Sequence, residues 1–278
     1  MVATVQLAPR ARPALARARL LGRGRGRRAL HAEIELNAAL NALTAGLADA
    51  YAPHRARVMG LAREAAAASG VDHLVILGAG NCNDVDLAEL LEAYEAVTLV
   101  DIDAAAMARA VRPLGPAARA RLHRHALDLG VADPALARRI LGADGRGASA
   151  VLSATLLTQL IAGGLDGAAA GSALAGAAAR RRRLHLSQMM RLLAPGGRGI
   201  LVTDLVSSAQ AGVLAGARLA ECCAAGTYFA GTRPREVLAD MARLPRLAAG
   251  SLRRTAPWVW TLEHPYAYLV YAASFSRR

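Results

Sequence analysis

Residues 73–84 read HLVILGAGNCND and residues 97–103 read VTLVDID. Both open with a short unbroken apolar run and close on small or acidic residues. A strand buried on both faces of a parallel sheet has this texture, because helices cover each side and no polar alternation is needed. The first run ends at Gly78-Ala-Gly80, and the second ends at Asp101-Ile-Asp103. Outward from this pair the alternation continues. Helical spacing is expected over 86–93 and 104–111, with strands at 122–127, 148–154 and 199–203. Asp133 and Pro134 begin a further helix as N-cap and first residue, and 183–193 is helical up to Ala194-Pro-Gly-Gly197. Alternating strands and helices predict a doubly wound, Rossmann-like α/β sheet.

The flanks differ. Residues 1–28 hold eight Arg and no acid, so they carry +8 of the formal charge of +13. All 34 basic residues of the 278-residue chain are Arg, a usage that GC-rich coding produces without selection for a partner. The excess charge therefore belongs to an arm, read as disordered, and not to a domain-wide nucleic-acid surface. Residues 29–70 read as a helical appendage broken at Pro53, with Leu36, Leu40, Leu43 and Leu47 on one face. Residues 71–278 form the α/β domain. Within it, 205–255 is expected as a mostly helical insert, followed by two antiparallel strands around His264-Pro265. The whole would be a seven-stranded mixed sheet with an antiparallel C-terminal hairpin.

Three Cys, at 82, 222 and 223, exclude a disulfide scaffold, and no Cys/His cluster has metal-ligand spacing. A cytoplasmic setting and no metal are the expectations. The run Ile161–Ala179 holds too few large apolar residues for a membrane span.

In open α/β sheets ligands bind beyond the carboxyl ends of the strands. Gly78 and Gly80 stand at the first such end and Asp101 at the second, 21 residues on, where a carboxylate can accept both hydroxyls of a ribose. Asp128 ends the third strand, where it can accept an adenine amino proton. Together they describe an adenosine site.

Over residues 71–204 the chain resembles the class I S-adenosylmethionine-dependent methyltransferases. LVILGAGNCND resembles their glycine motif, LVDID their ribose-binding strand end and ALDL their adenine motif. AVLSATLLTQL stands at their fourth motif, and MMRLLAPGGRGILVTD is similar to their helix–loop–strand signature. The resemblance implies S-adenosylmethionine as cofactor. Gly78, Ala79, Gly80 and Asn81 would line its methionine and ribose, and Asn83, Asp84 and Asp86 would meet its ammonium in place of the acid that Ile76 replaces. Asp101 and Ile102 would hold ribose and adenine; Asp103 is carried with them, with helix capping as its other reading. Asp128 and Leu129 would flank the adenine, and Ser153 would line the methyl end. Departures are Ile76, where the family often has an acid, and Cys82, where it has a third glycine. A dehydrogenase GxGxxG would need glycine at 83, where Asn83 stands.

Methyl transfer needs positioning and removal of a proton from the acceptor. Asp204, at the end of the fifth strand, is the first candidate acid/base and Tyr228 the second. The expected reaction is methylation of oxygen or nitrogen on a small molecule. Two alternatives stay open: an RNA or protein methyltransferase using the arm, and a non-catalytic cofactor-binding relative; a homodimer through the N-terminal helices is compatible with each.

Overall fold

A computed structural model describes residues 27–69, 72–142, 146–163, 172–208, 227–263 and 266–278. Two helices, α1 (Arg27–Thr44) and α2 (Ala52–Ser69), precede the sheet. The chain then alternates through β1 (His73–Leu77), α3 (Leu87–Ala93), β2 (Ala96–Asp101), α4 (Ala104–Val111), α5 (Pro116–Ala120) and β3 (Leu122–Ala126). It returns through α6 (Leu136–Leu141), β4 (Ala148–Ala154), α7 (Leu156–Gly163), α8 (Ser172–Leu192) and β5 (Leu193–Ser208). The last part comprises β6 (Thr227–Tyr228), α9 (Pro234–Met241), β7 (Arg253–Arg254), β8 (Trp258–Glu263) and β9 (Tyr266–Ser276).

The sheet runs β3-β2-β1-β4-β5-β9-β7, with β6 on β5 and β8 on β9. Strands β1 to β5 are mutually parallel, and β9 lies antiparallel to β5. The order reverses between β1 and β4, and this reversal opens a crevice at the strand ends. Every residue of β4 is buried, as a strand with helices on both faces should be. On one face Leu74, Ile76, Leu99, Leu152 and Val202 pack with α2 and α3. On the other, Val75, Leu77, Val100, Val151 and Leu201 pack with α6 to α9.

Among the described residues nine strands stand where seven are expected, and they fill seven lanes. β7 pairs with residues 273–274 of β9 and β8 with 266–270, so the two share one edge lane. β6 pairs with Val206 and Ser207 on the side of β5 that faces away from β9, in the lane β4 leaves when its own pairing ends at Ala154.

The insert over 205–255 is not mostly helical where it is described. β5 continues to Ser208 because the 11-residue β9 needs backbone partners along its whole length. A bulge between Asp204 and Val206 accompanies this extension. It places Leu205 and Val206 consecutively in the same core face, while Asp204 and Ser207 stand on the opposite face opposite Val270 and Tyr268. Tyr228 lies in β6.

The expected helix start near Arg183 also moves, to Ser172. Arg182 is buried within α8, donating to Asp240 Oδ2 at 2.7 Å and to the Gly231 carbonyl at 2.7 Å, which ties α8 to α9. Asp133 accepts from Ala135 N at 2.8 Å, but the helix begins two residues after Pro134, at Leu136. Residues 1–26 of the Arg-rich arm and Cys222-Cys223 lie outside the described residues. No described helix is long and apolar enough to cross a membrane.

Candidate cofactor and acceptor site

The loop after β1 is built on backbone geometry. Gly78 and Ala79 N–H both donate to the Val100 carbonyl, at 2.9 and 3.2 Å. Gly78 has φ +76°, and a Cβ there would stand 2.8 Å from Leu156 Cβ. Cys82 also lies in the left-handed region at φ 56°, so the loop keeps the conformation for which glycine would be the easier residue. Asp101 binds this loop directly: one carboxylate oxygen accepts from Gly80 N at 2.8 Å and the other from Asp103 N at 2.8 Å. Burial pushes the Asp101 carboxyl up from its ordinary range, and the amides of Asp103 and Gly80 oppose that shift.

A cleft opens at these strand ends, where ligands of open α/β sheets bind. Gly78, Asp101, Ile102, Asp128 and Leu129 line it, five of the residues singled out in the sequence. Asn37 of α1, Leu127, and Leu156, Gln159 and Leu160 of α7 complete the wall. The residues present fit a nucleoside. Ile102, Leu127, Leu129 and Leu160 offer apolar surface to a flat base, and Gly78 leaves room at the backbone. Asp101 retains carboxylate lone pairs beyond the two its amide partners occupy. Asp128 also accepts from Gly130 N at 2.7 Å, which fixes its carboxyl at the rim.

The other singled-out residues surround this cleft without lining it. Asn81 Nδ2 donates to the Asn41 carbonyl at 2.6 Å, and Asn83 Nδ2 donates to the Thr44 carbonyl at 2.9 Å. These are last-turn carbonyls of α1, which have no partner inside the helix. The glycine loop thus caps the N-terminal helix. Asp103 caps α4 through Ala105 N and Ala106 N, both at 3.0 Å, and its other oxygen accepts from Asn41 Nδ2 at 3.0 Å. Ala79 is core. Ser153 is buried against α8, with its Oγ 2.7 Å from His185 Nε2. Burial pushes His185 down to about 4, so it is neutral at pH 7. Asn37 and Asn41 carry no local sequence signal: Asn41 meets Asn81 and Asp103 far along the chain, and Asn37 reaches the cleft wall only on folding.

Gly78→Ala is expected to weaken nucleoside binding and to destabilise the fold by about 1–3 kcal/mol, through the positive φ and the contact with Leu156. Thermal unfolding with and without S-adenosylhomocysteine measures both.

A second polar centre lies beside the cleft. Asp204 is buried, and Thr158 of α7 donates to its Oδ2 at 3.0 Å. Burial pushes the Asp204 carboxyl up to about 7; Thr158 and His54 oppose this and Asp84 adds to it. His54, buried at the start of α2, accepts at Nδ1 from Trp258 Nε1 at 3.2 Å, and its Nε2 lies 3.0 Å from Asp84 Oδ1. Its ring stacks on Trp260 with centroids 4.5 Å apart, and Tyr51 meets the same indole edge-on at 4.8 Å. Asp84 therefore faces this centre and not the cleft. Tyr51 and His54 were not picked out as site residues, because nothing in AYAPH at 50–54 marks it as distinct from a helix start.

No protein-family model and no curated protein matches the sequence. Solved structures do match. An O-methyltransferase family protein from Burkholderia thailandensis shares 14% identity over 96% of this chain and 68% of its own, with a TM-score of 0.50. N-methyltransferase NodS from Bradyrhizobium japonicum WM9 shares 13% over 82% of this chain and 97% of its own, with a TM-score of 0.48. The glycopeptide N-methyltransferase MtfA, complexed with sinefungin, shares 13% over 81% and 94%, with a TM-score of 0.46. At such identities the likeness is one of architecture: the chain has the fold of the class I S-adenosylmethionine-dependent methyltransferases.

Proposed function

We propose that the protein binds S-adenosylmethionine and methylates oxygen or nitrogen of a small molecule. One observation carries this reading: Gly78, Asp101, Ile102, Asp128 and Leu129, drawn from three strand ends, line a single cleft at the point where strand order reverses. When bound, the cofactor supplies a methyl group already activated by its sulfonium. The chain's own residues bind and orient. Asp101 accepts the ribose hydroxyls, Asp128 accepts the base amino group, and Ile102 and Leu129 cover the ring. α1 closes one wall through Asn37. Asp204 receives the acceptor's proton, for which a carboxyl poised at about 7 is suited.

Calorimetry with S-adenosylhomocysteine is the direct test. Saturable binding near one ligand per chain, with none for NAD under the same conditions, is the expected result. Absence of binding at millimolar ligand would leave a relative that kept the fold without the cofactor. Deleting residues 1–28 should leave this affinity unchanged. A steep salt dependence of RNA binding that vanishes with the deletion would instead assign the acceptor to RNA.

A further inference from the structure

The bulged end of β5 and the two strands beyond it carry polar atoms that the fold does not use. Asp204 Oδ1, Ser207 Oγ and Trp260 Nε1 are buried without a hydrogen-bond partner among the described residues. Asp204 is 7% exposed, Ser207 3% and Trp260 7%. Such atoms are rare in a folded core, since each forfeits its hydration for nothing.

They share one sheet face. Asp204 stands opposite Val270, which stands opposite Trp258; Ser207 stands opposite Tyr268, which stands opposite Trp260. Directly opposed residues project to the same side. His54 joins the two rows, with ring centroids 5.8 Å from Trp258 and 4.5 Å from Trp260. The bulge creates the arrangement, because without it Asp204 and Ser207 would fall on opposite faces.

We propose that this patch binds the methyl acceptor and that the acceptor is an amine, held as its ammonium ion by Asp204 and Ser207 against the rings of Trp260 and Tyr268. The inference rests on the methyltransferase reading and narrows it to nitrogen. The charges choose between the two acceptor atoms. Asp84 adds its negative field at Asp204; His54 lies beside both carboxylates, and no Arg is paired with either among the described residues. Such a field opposes a phenolate or alkoxide developing on an oxygen acceptor and favours a cation, as do aromatic faces. Asp204 also gives the ammonium proton a destination: it passes from nitrogen to the carboxylate, leaving nitrogen with a free lone pair. Trp260 Nε1 is a donor, so the same molecule should offer an acceptor atom a short distance from its nitrogen.

The chain's two tryptophans are Trp258 and Trp260, so tryptophan fluorescence, excited selectively over the six tyrosines, reports on this patch. The probe is 2-phenylethylamine, with 2-phenylethanol as its neutral counterpart. A saturable fluorescence change with the amine, at least tenfold weaker with the alcohol, is expected. Asp204→Asn should weaken the amine at least tenfold while leaving S-adenosylhomocysteine affinity by calorimetry unchanged. Equal binding of amine and alcohol, no binding of either, or an Asp204→Asn variant that keeps the amine overturns the proposal. So does a variant that loses S-adenosylhomocysteine instead, since Asp204 would then serve the cofactor. If Asp204→Asn folds poorly, Trp260→Leu keeps Trp258 as reporter and should lose the amine severalfold; retained affinity overturns the proposal equally. The amine titration needs no cofactor, so failure of the cofactor reading and failure of this one are separately visible.

Discussion

Asp101→Ala is expected to weaken binding of S-adenosylhomocysteine about 10- to 150-fold by calorimetry, the range for losing hydrogen bonds to a charged group. Two effects act together. The carboxylate that would accept the ribose hydroxyls is removed. The Gly80 and Asp103 amides, each 2.8 Å from it, also lose their acceptor, so the loop loses its anchor to β2. Asp101→Asn separates the two. An amide oxygen can still hold one loop N–H, so this variant should keep more of the loop's order while losing the charge-assisted bonds to ligand. Unchanged affinity in the alanine variant would place the ribose elsewhere.

Asp204→Asn is expected to move activity and stability in opposite directions. Methyl transfer should fall about 10²- to 10⁴-fold, the usual contribution of a positioned proton acceptor. Stability should rise above neutral pH. The Asp204 carboxyl goes from an ordinary 3.8 to about 7 on folding, chiefly by burial. The folded chain thus holds a proton that the unfolded chain has released between those two values. Its contribution is complete below 3.8 and is lost as pH rises through 7. The uncharged variant escapes that loss, worth up to about 4 kcal/mol by pH 8. Denaturant midpoints of the two proteins should coincide near pH 4 and separate as pH rises. Curves that stay parallel would mean Asp204 is solvated as a carboxylate in the folded state.

The opposition has a physical source. A carboxyl poised near 7 must be kept from water, and a carboxylate kept from water costs stability. Thr158 offsets only part of that cost with one hydrogen bond. The same principle explains why the bulge persists: it spends backbone regularity to hold Asp204 and Ser207 on one face.

The cleft at the strand ends was readable in the chain because its makers are local. A buried strand leaves an unbroken apolar run, and its end leaves a glycine or an acid at a spacing fixed by one βαβ crossover. Gly78, Asp101 and Asp128 follow from that pattern. The buried polar patch around Asp204 was only half readable. Asp204 was picked out as a strand end, although β5 runs past it to Ser208 and it stands at the bulge; Tyr51 and His54 gave no signal, since the helix region that carries them precedes the sheet and meets β8 only on folding. At residues 205–208 the expected helix gives way to strand for a related reason. Ala- and Leu-rich composition suits a helix, yet β9 supplied pairing partners that no local window contains.

The sequence by itself thus determined a doubly wound sheet and the glycine and acidic strand ends that meet in one cleft, because burial on two faces and the turn at each strand end are encoded within a few residues. The tertiary structure alone decided that the glycine loop caps α1, that Asp84 faces His54 and not the cleft, and that Asp204 shares a face with two indoles. These depend on which distant segments meet, and a hydrogen bond between residues 40 or 200 positions apart imposes no periodicity on either.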